Sequence, residues 1–397
     1  MPVSKPSILT SSRRLVNDSP DLMINTQRAV QEAISDILAK TEVEQIELLI
    51  VHFSVAFDFD QILTCLNAEF SATQVIGCSS AGEFNMQGYQ TQSIVFVALL
   101  KSDFVCSTHL LEQVDEVSFD SAYKIAADLR QNLREKASFE SEQQMVISFL
   151  DGLSMNEEVF LHSFSPVFGN IPHFGGSAGD DLELNATYLL YNGRIVQKAS
   201  IITLIGSRGP FKVFSVDHIE TPVSRLVVTN ADPSTRTVFE LNGEPAAEYY
   251  AKLMGKDVKE LSPKVFSKFP LAVLMGGKYF IRSIQKIDII TNSLTFYCAV
   301  DLGMILTAVQ LGECSQTLQS KLEELRLELG EPEMIYGCDC FLRRLDIIQS
   351  GKEQDIKNMQ QEFKIAGFNA YGEHMNSIHM NQTFTGVYFA RASKLSN

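Results

Sequence analysis

The residues in this chain best suited to chemistry sit in short loops of glycine and other small residues. Gly175–Asp181 reads GGSAGDD, a tight loop whose backbone amides could line a ligand, ending in the paired acids Asp180 and Asp181. A phosphate-cradling GxxxxGK[ST] loop needs a lysine that is absent, so the plainer expectation is a glycine turn capped by the two aspartates. Gly77–Phe84, GCSSAGEF, is a similar strand-end loop. Cys78 could act as a nucleophile only with a base beside it, nominally His52 or His173. A buried small hydrophobe is the stronger reading of that cysteine. Cys338 and Cys340 form a C-x-C pair on one face of a strand but lack the second pair of a structural zinc site. Arg343 and Arg344 follow, two guanidinium forks that suit carboxylates and that by default are solvated.

The seven histidines are His52, His109, His162, His173, His218, His374 and His379. None stands in HExxH or HxH spacing, and the absence of CxxCH excludes covalent haem attachment. A noncovalent haem asks only for one axial ligand, an apolar slot and partners for its propionates. Residue chemistry alone therefore nominates no histidine over the others.

The elements that must position these loops read as α/β. Apolar residues make up 45% of the 397 positions and charged residues 20%, the balance of a folded globular chain. Runs such as IELLIVHF and SIVFVALL have the length of buried strands, and none reaches the ~18 residues of a membrane span. The first twenty residues read as a polar leader without the apolar core of a signal peptide, so a cytoplasmic location is expected. Seven cysteines at irregular spacing do not form a disulfide framework. A net charge of −15 disfavours nucleic acid and anionic membranes as partners. Helical spacing in residues 21–41, 59–70 and 121–136 alternates with apolar runs, which predicts strands flanked by helices. Asn192-Gly193 between apolar runs predicts a hairpin with positive φ at both turn residues. A second hairpin is expected to turn at residues 231–234, and Pro245 to open a helix. The composition shift at residues 221–224 divides the chain into 21–222 and 223–397. No repeat of fixed period is legible.

Several of these segments together resemble one family. VIGCSSAGEF, FGGSAGDD and YLLYNGRIV resemble the FIST N-terminal domain, and FELNGEPAAEYYAKLMG, MIYGCDC and AGFNAYGE the FIST C-terminal domain. The resemblance implies a two-domain FIST-type α/β architecture, with mixed, largely antiparallel sheets flanked by helices, serving as a sensor rather than an enzyme. GCDCFLRRL and YGEHMNSIHMNQTFTGV resemble the NosP branch of FIST proteins. That branch implies noncovalent haem b and nitric-oxide sensing, with His379 as the iron ligand and Tyr371, Asn381, Arg343 and Arg344 shaping the pocket. His374 stands where the branch tends to carry an amide and competes with His379; a single strand through both would place them on opposite faces. The implied partner is a cytosolic histidine kinase or a cyclic-di-nucleotide signalling enzyme acting in trans, with a homodimer as the default oligomer. The alternative is a FIST sensor that binds another small ligand, such as an amino acid, without haem.

Overall fold

The computed structural model describes residues 6–16 and 19–391. Its first elements are β1 (Ile8–Arg14), α1 (Leu22–Leu38), β2 (Ile46–Phe53), α2 (Phe59–Phe70), β3 (Gln74–Ser79), a hairpin of β4 (Glu83–Asn85) and β5 (Gly88–Gln90), and β6 (Ser93–Leu100). The same order then returns: β7 (Phe104–Glu112), α3 (Phe119–Lys136), β8 (Gln144–Leu150), α4 (Glu157–Phe168), β9 (His173–Ser177), a hairpin of β10 (Leu189–Tyr191) and β11 (Arg194–Val196), and β12 (Ala199–Ser207). A third round opens with β13 (Phe211–Val216) and is interrupted by an insert. The insert comprises β14 (Ile219–Asp232), β15 (Thr237–Leu241), β16 (Glu244–Pro245), α5 (Ala246–Leu253), α6 (Pro263–Phe266), β17 (Leu271–Met275), β18 (Lys278–Arg282), β19 (Ile284–Asp288), β20 (Ser293–Phe296) and β21 (Ile305–Leu311). The third round resumes with α7 (Cys314–Leu329), β22 (Pro332–Cys340), α8 (Phe341–Gln349), α9 (Glu353–Glu362) and β23 (Ile365–Ala370). It closes with a hairpin of β24 (Glu373–Met375) and β25 (Ile378–Met380), then β26 (Phe384–Ala390).

The three rounds are three copies of one unit, and each copy lends its hairpin to another. The sheets run β1-β6-β2-β3-β10-β11, β7-β12-β8-β9-β24-β25 and β13-β26-β22-β23-β4-β5. In each, two strands pair in parallel through a helical crossover: β2 with β3, β8 with β9, β22 with β23. The outer pair of every sheet is a hairpin from a different unit, so the three exchanges close a circle. The unit repeat was not legible as a period, because the insert interrupts its third copy and few side chains recur.

Burial explains the strand sequences. The inner faces of all three sheets share one core, including Leu48, Ile50, Ile147, Phe149, Tyr336 and Phe368. The outer faces pack under each unit's own helices, and the insert holds a core of its own. Strands buried on both faces need continuous apolar runs, which is why every residue of IELLIVHF is buried. Gly77, Gly175 and Gly367 occupy equivalent positions on the three crossover strands. A Cβ there would lie 1.7, 1.9 and 1.8 Å from the carbonyl oxygens of Val51, Ser148 and Gly337, so only glycine fits.

Three expectations are corrected. Residues 8–14, assigned to a polar leader, form the edge strand β1 along the whole of β6, with Ile8 and Leu9 buried. The boundary placed at residues 221–224 falls inside strand β14, which shifts register against β21 at Pro222/Ser224 but continues to Asp232, so the polar residues there mark an exposed, bulged strand rather than a linker. His374 and His379 do not lie on one strand: the turn at Asn376, with φ of 54°, folds them into direct register across β24 and β25. Opposed residues in an antiparallel pair share a face, so both turn toward the same side. The hairpin at Asn192-Gly193 forms as expected, with φ of 43° and 78°.

Candidate functional site

The two loops singled out by sequence meet a third, from a segment read only through its family resemblance, at one place. GCSSAGEF, GGSAGDD and GFNAYGE are the equivalent ends of the three crossover strands, and their backbones bond in a closed ring. The Ala81 N–H donates to the Asn369 carbonyl (2.9 Å), the Tyr371 N–H to Ser177 (3.1 Å), and the Gly179 N–H to Ser79 (3.0 Å). Two residues further along each loop stands an acid: Glu83, Asp181 and Glu373. Burial raises the carboxyl pKa of all three, with Glu83 pushed up to about 8. Each also accepts from a hydroxyl that favours ionisation and only partly offsets burial: Ser80 to Glu83 (2.5 Å), Ser54 to Asp181 (2.5 Å) and Thr383 to Glu373 (3.0 Å).

A cleft of about 1140 Å³ opens over this junction. Its apolar wall includes Phe57, Phe59, Tyr188 and Phe341, and its polar wall Asp58, Asp60, Asp181 and Glu183. Among the described residues, Arg344 is the single basic one lining it. The guanidinium is oriented by Asn369 Oδ1 (3.0 Å) and the Ala81 carbonyl (3.3 Å), and among the described residues it forms no ion pair. Asp58 is committed to capping α2 through the Gln61 N–H. Asp180 is committed as well: its carboxylate accepts from the N–H groups of Leu184, Asn185 and Ala186 and from the Tyr371 hydroxyl. The capping reading of Asp180 therefore holds, while Asp181 faces the cleft.

The residues carried over from the resemblance divide among different environments. Arg343 is fully buried in an ion pair with Asp339 at 2.7 Å, so it serves the fold rather than a ligand. Tyr371 spans from the junction to Asp180 and the Leu182 N–H. Asn381 is buried, accepting from the Ser283 N–H (2.9 Å) and the Cys298 thiol (3.2 Å). His379 is buried, with Nδ1 3.0 Å from a Glu158 carboxylate oxygen on α4. His374 instead bonds Ser148 Oγ through Nε2 (2.7 Å), and His173 reaches the same hydroxyl (2.8 Å).

The nucleophile reading of Cys78 has a histidine partner but no activated thiol. Cys78 lies 3.3 Å from His52 Nδ1, yet burial drives the thiol pKa up and the imidazole pKa down to about 3. All seven cysteines are buried and unpaired.

Haem fits His379 poorly as the residues stand. Nε2 has no hydrogen-bond partner among the described residues, as an axial ligand would require. It presses on the Gly372 backbone, however: a Cβ built there would lie 2.3 Å from Nε2. A metal bonded to that nitrogen at ~2.0–2.1 Å would occupy the same space. His379 also lies outside the lining of the large cleft. Sequence reasoning missed Glu158 and Cys298 beside His379. Glu157-Glu158 reads as ordinary helix-start acids, and Cys298 as core, so no local signal joins them.

The chain belongs to the FIST family, matching the FIST N domain over residues 47–244 and the FIST C domain over residues 246–376. FIST domains are sensor domains of signal transduction. An uncharacterized protein of Methanocaldococcus jannaschii is 22% identical over 368 residues, covering 83% of this chain and 70% of that protein. A crystal structure of a cyanuric acid hydrolase from A. caulinodans aligns over 52% of this chain and 72% of its own, with a TM-score of 0.31 and 7% identity. Likeness at that level decides nothing about fold or function.

Proposed function

We propose that this FIST chain senses a small zwitterionic metabolite of the amino-acid kind, bound in the junction cleft and reported to a signalling partner in trans. The observation carrying this reading is Arg344, an oriented guanidinium without an ion-pair partner among the described residues, in a cleft whose other charged lining residues are acids and whose apolar wall carries aromatic rings. A ligand carboxylate suits the planar fork of Arg344, its ammonium suits Asp181, Asp60 and Glu183, and its side chain suits the phenylalanines. Three units meet under the cleft, so a ligand that binds one arrangement of them more tightly shifts the population toward it. The partner is a histidine kinase or cyclic-di-nucleotide signalling enzyme, as the family resemblance implies.

The test is thermal stabilisation of the purified chain by a panel of amino acids, each beside its amide and its decarboxylated amine. Saturation at ~100 times Kd adds about 2.7 kcal/mol. Arg344→Ala is expected to abolish the response and Arg344→Lys to weaken it. An Arg344→Ala protein that responds as the wild type does, or a panel in which the amides work equally well, would sink the reading.

The haem and nitric-oxide reading retains one supporting observation: Glu158 holds His379 Nδ1 as a carboxylate holds a ligating imidazole, leaving Nε2 unpartnered. Bound haem would supply an iron that takes nitric oxide, and this chain would have to move the Gly372 backbone away from Nε2 to hold it. Haemin titration followed by absorbance, with His379→Ala beside wild type, checks it: equal uptake by the two removes His379 as ligand.

A further inference from the structure

Away from the cleft, three side chains with metal-binding chemistry converge from three parts of the chain. Glu158 comes from α4 of the second unit, Cys298 from the segment after β20 in the insert, and His379 from β25 of the third unit. One donor atom from each lies within 4.8 Å of the other two. We propose that Glu158, Cys298 and His379 form a site for one divalent cation of the zinc type.

The donor set selects that kind of ion. A thiolate and an imidazole favour zinc and its neighbours over magnesium or calcium, which prefer oxygen throughout. Tetrahedral zinc with bonds of ~2.0–2.3 Å sets its donors about 3.3–3.8 Å from one another, so His379 Nδ1 and Glu158, now 3.0 Å apart, would spread slightly, and all three donors already lie within 4.8 Å. One thiolate and one carboxylate balance the double positive charge, and binding releases the Cys298 proton. Supporting bonds already hold the donors. The Ala299 N–H donates to Glu158 Oε1 (2.7 Å), and Arg236 pairs with the other Glu158 oxygen and with Glu157, while the bond from the Cys298 thiol to Asn381 Oδ1 (3.2 Å) is given up when the thiol ionises. Haem iron on Nε2 would collide with Gly372, whereas an ion among these donors lies on the Nδ1 side, where Glu158 stands. Without a metal, the same contacts amount to an imidazole–carboxylate hydrogen bond beside a buried thiol, and that is the rival the test must separate.

The full chain would be expressed with zinc, or with cobalt in its place, and its metal content measured after purification. About one zinc per chain is expected, and the cobalt form should show a near-ultraviolet thiolate-to-cobalt band. Cys298→Ser is expected to lose the band and to lower metal content at least tenfold while circular dichroism stays that of the folded protein. Glu158→Gln should weaken retention against a chelator and keep the band, which guards against a Cys298→Ser chain that fails to fold. Wild-type protein without metal after growth in zinc, or a Cys298→Ser protein with undiminished metal, would overturn the proposal. So would haem lost in His379→Gln but kept in Cys298→Ser. None of these outcomes depends on the cleft or on Arg344.

Discussion

Arg343 and Arg344 are neighbours with opposite fates, and the difference is which side of α8 each occupies. Arg343 points into the core, bonded to Asp339, whose other oxygen takes the Tyr89 hydroxyl. A buried pair adds little when intact, but removing one partner strands the other charge. Arg343→Ala should therefore cost about 3–5 kcal/mol. Arg344→Ala removes two partly exposed hydrogen bonds and should cost no more than about 1–3 kcal/mol. Urea midpoints of the two variants measure this. Equal losses would mean that Arg344 is also structural, which would weaken its assignment to a ligand.

At the scale of elements, the three crossover strands are held to their parallel neighbours by Gly77, Gly175 and Gly367. Any side chain there meets a backbone carbonyl, which cannot swing away as a flexible side chain can. Ordinary overpacking costs about 1–3 kcal/mol. Each of Gly77→Ala, Gly175→Ala and Gly367→Ala should exceed that range, and the three should cost similar amounts because the contact is the same in each unit. Melting temperatures check it; one variant melting as wild type does would show that its strand can slide, and that the units are not equivalent there. The hairpins tell a related story. Each is short, and it is stable because it extends a neighbouring unit's sheet rather than standing alone.

Across the whole molecule, buried histidines lie on both faces of the sheets: His52 in the shared core against Phe149 and Phe368, and His173 under α4 against Phe160 and Phe168. Burial lowers the pKa of His52 and of His173 to about 3 from the usual 6.5. Above pH 6.5 the folded and unfolded chains are both neutral at these sites. Below it the unfolded chain takes up protons that the folded chain refuses, so stability falls as pH drops from 6.5 toward 3. Glu83 acts in the opposite sense: its raised pKa gives stability that is full below about 4.5 and is lost as pH rises through about 8. His52→Gln keeps a polar group for Tyr336 and Cys78 but cannot titrate. Its melting temperature should fall less steeply than wild type between pH 6.5 and 4, by calorimetry. Parallel curves would show that His52 is hydrated or charged in the folded protein.

Local pattern was enough to read the strands, the helices and the Asn192-Gly193 turn, because continuous apolar runs, 3.6-residue spacing and positive-φ residues act within a few residues of one another. It also identified two of the three glycine-rich loops, GCSSAGEF and GGSAGDD, and the motifs around them marked the FIST family. The hairpin exchange depends on pairing between residues hundreds of positions apart, such as Phe368 with Glu83, so the threefold arrangement had no local trace. Separating Arg343 from Arg344 took the packing of α8, since the two are chemically identical in sequence. The same holds for His379. The family resemblance made it a ligand candidate, but the tertiary fold placed Glu158 at its Nδ1, Cys298 close by and the Gly372 backbone facing its Nε2. Donors become a site only when folding brings them within bonding reach of one another, and that distance is not written in any short stretch of chain.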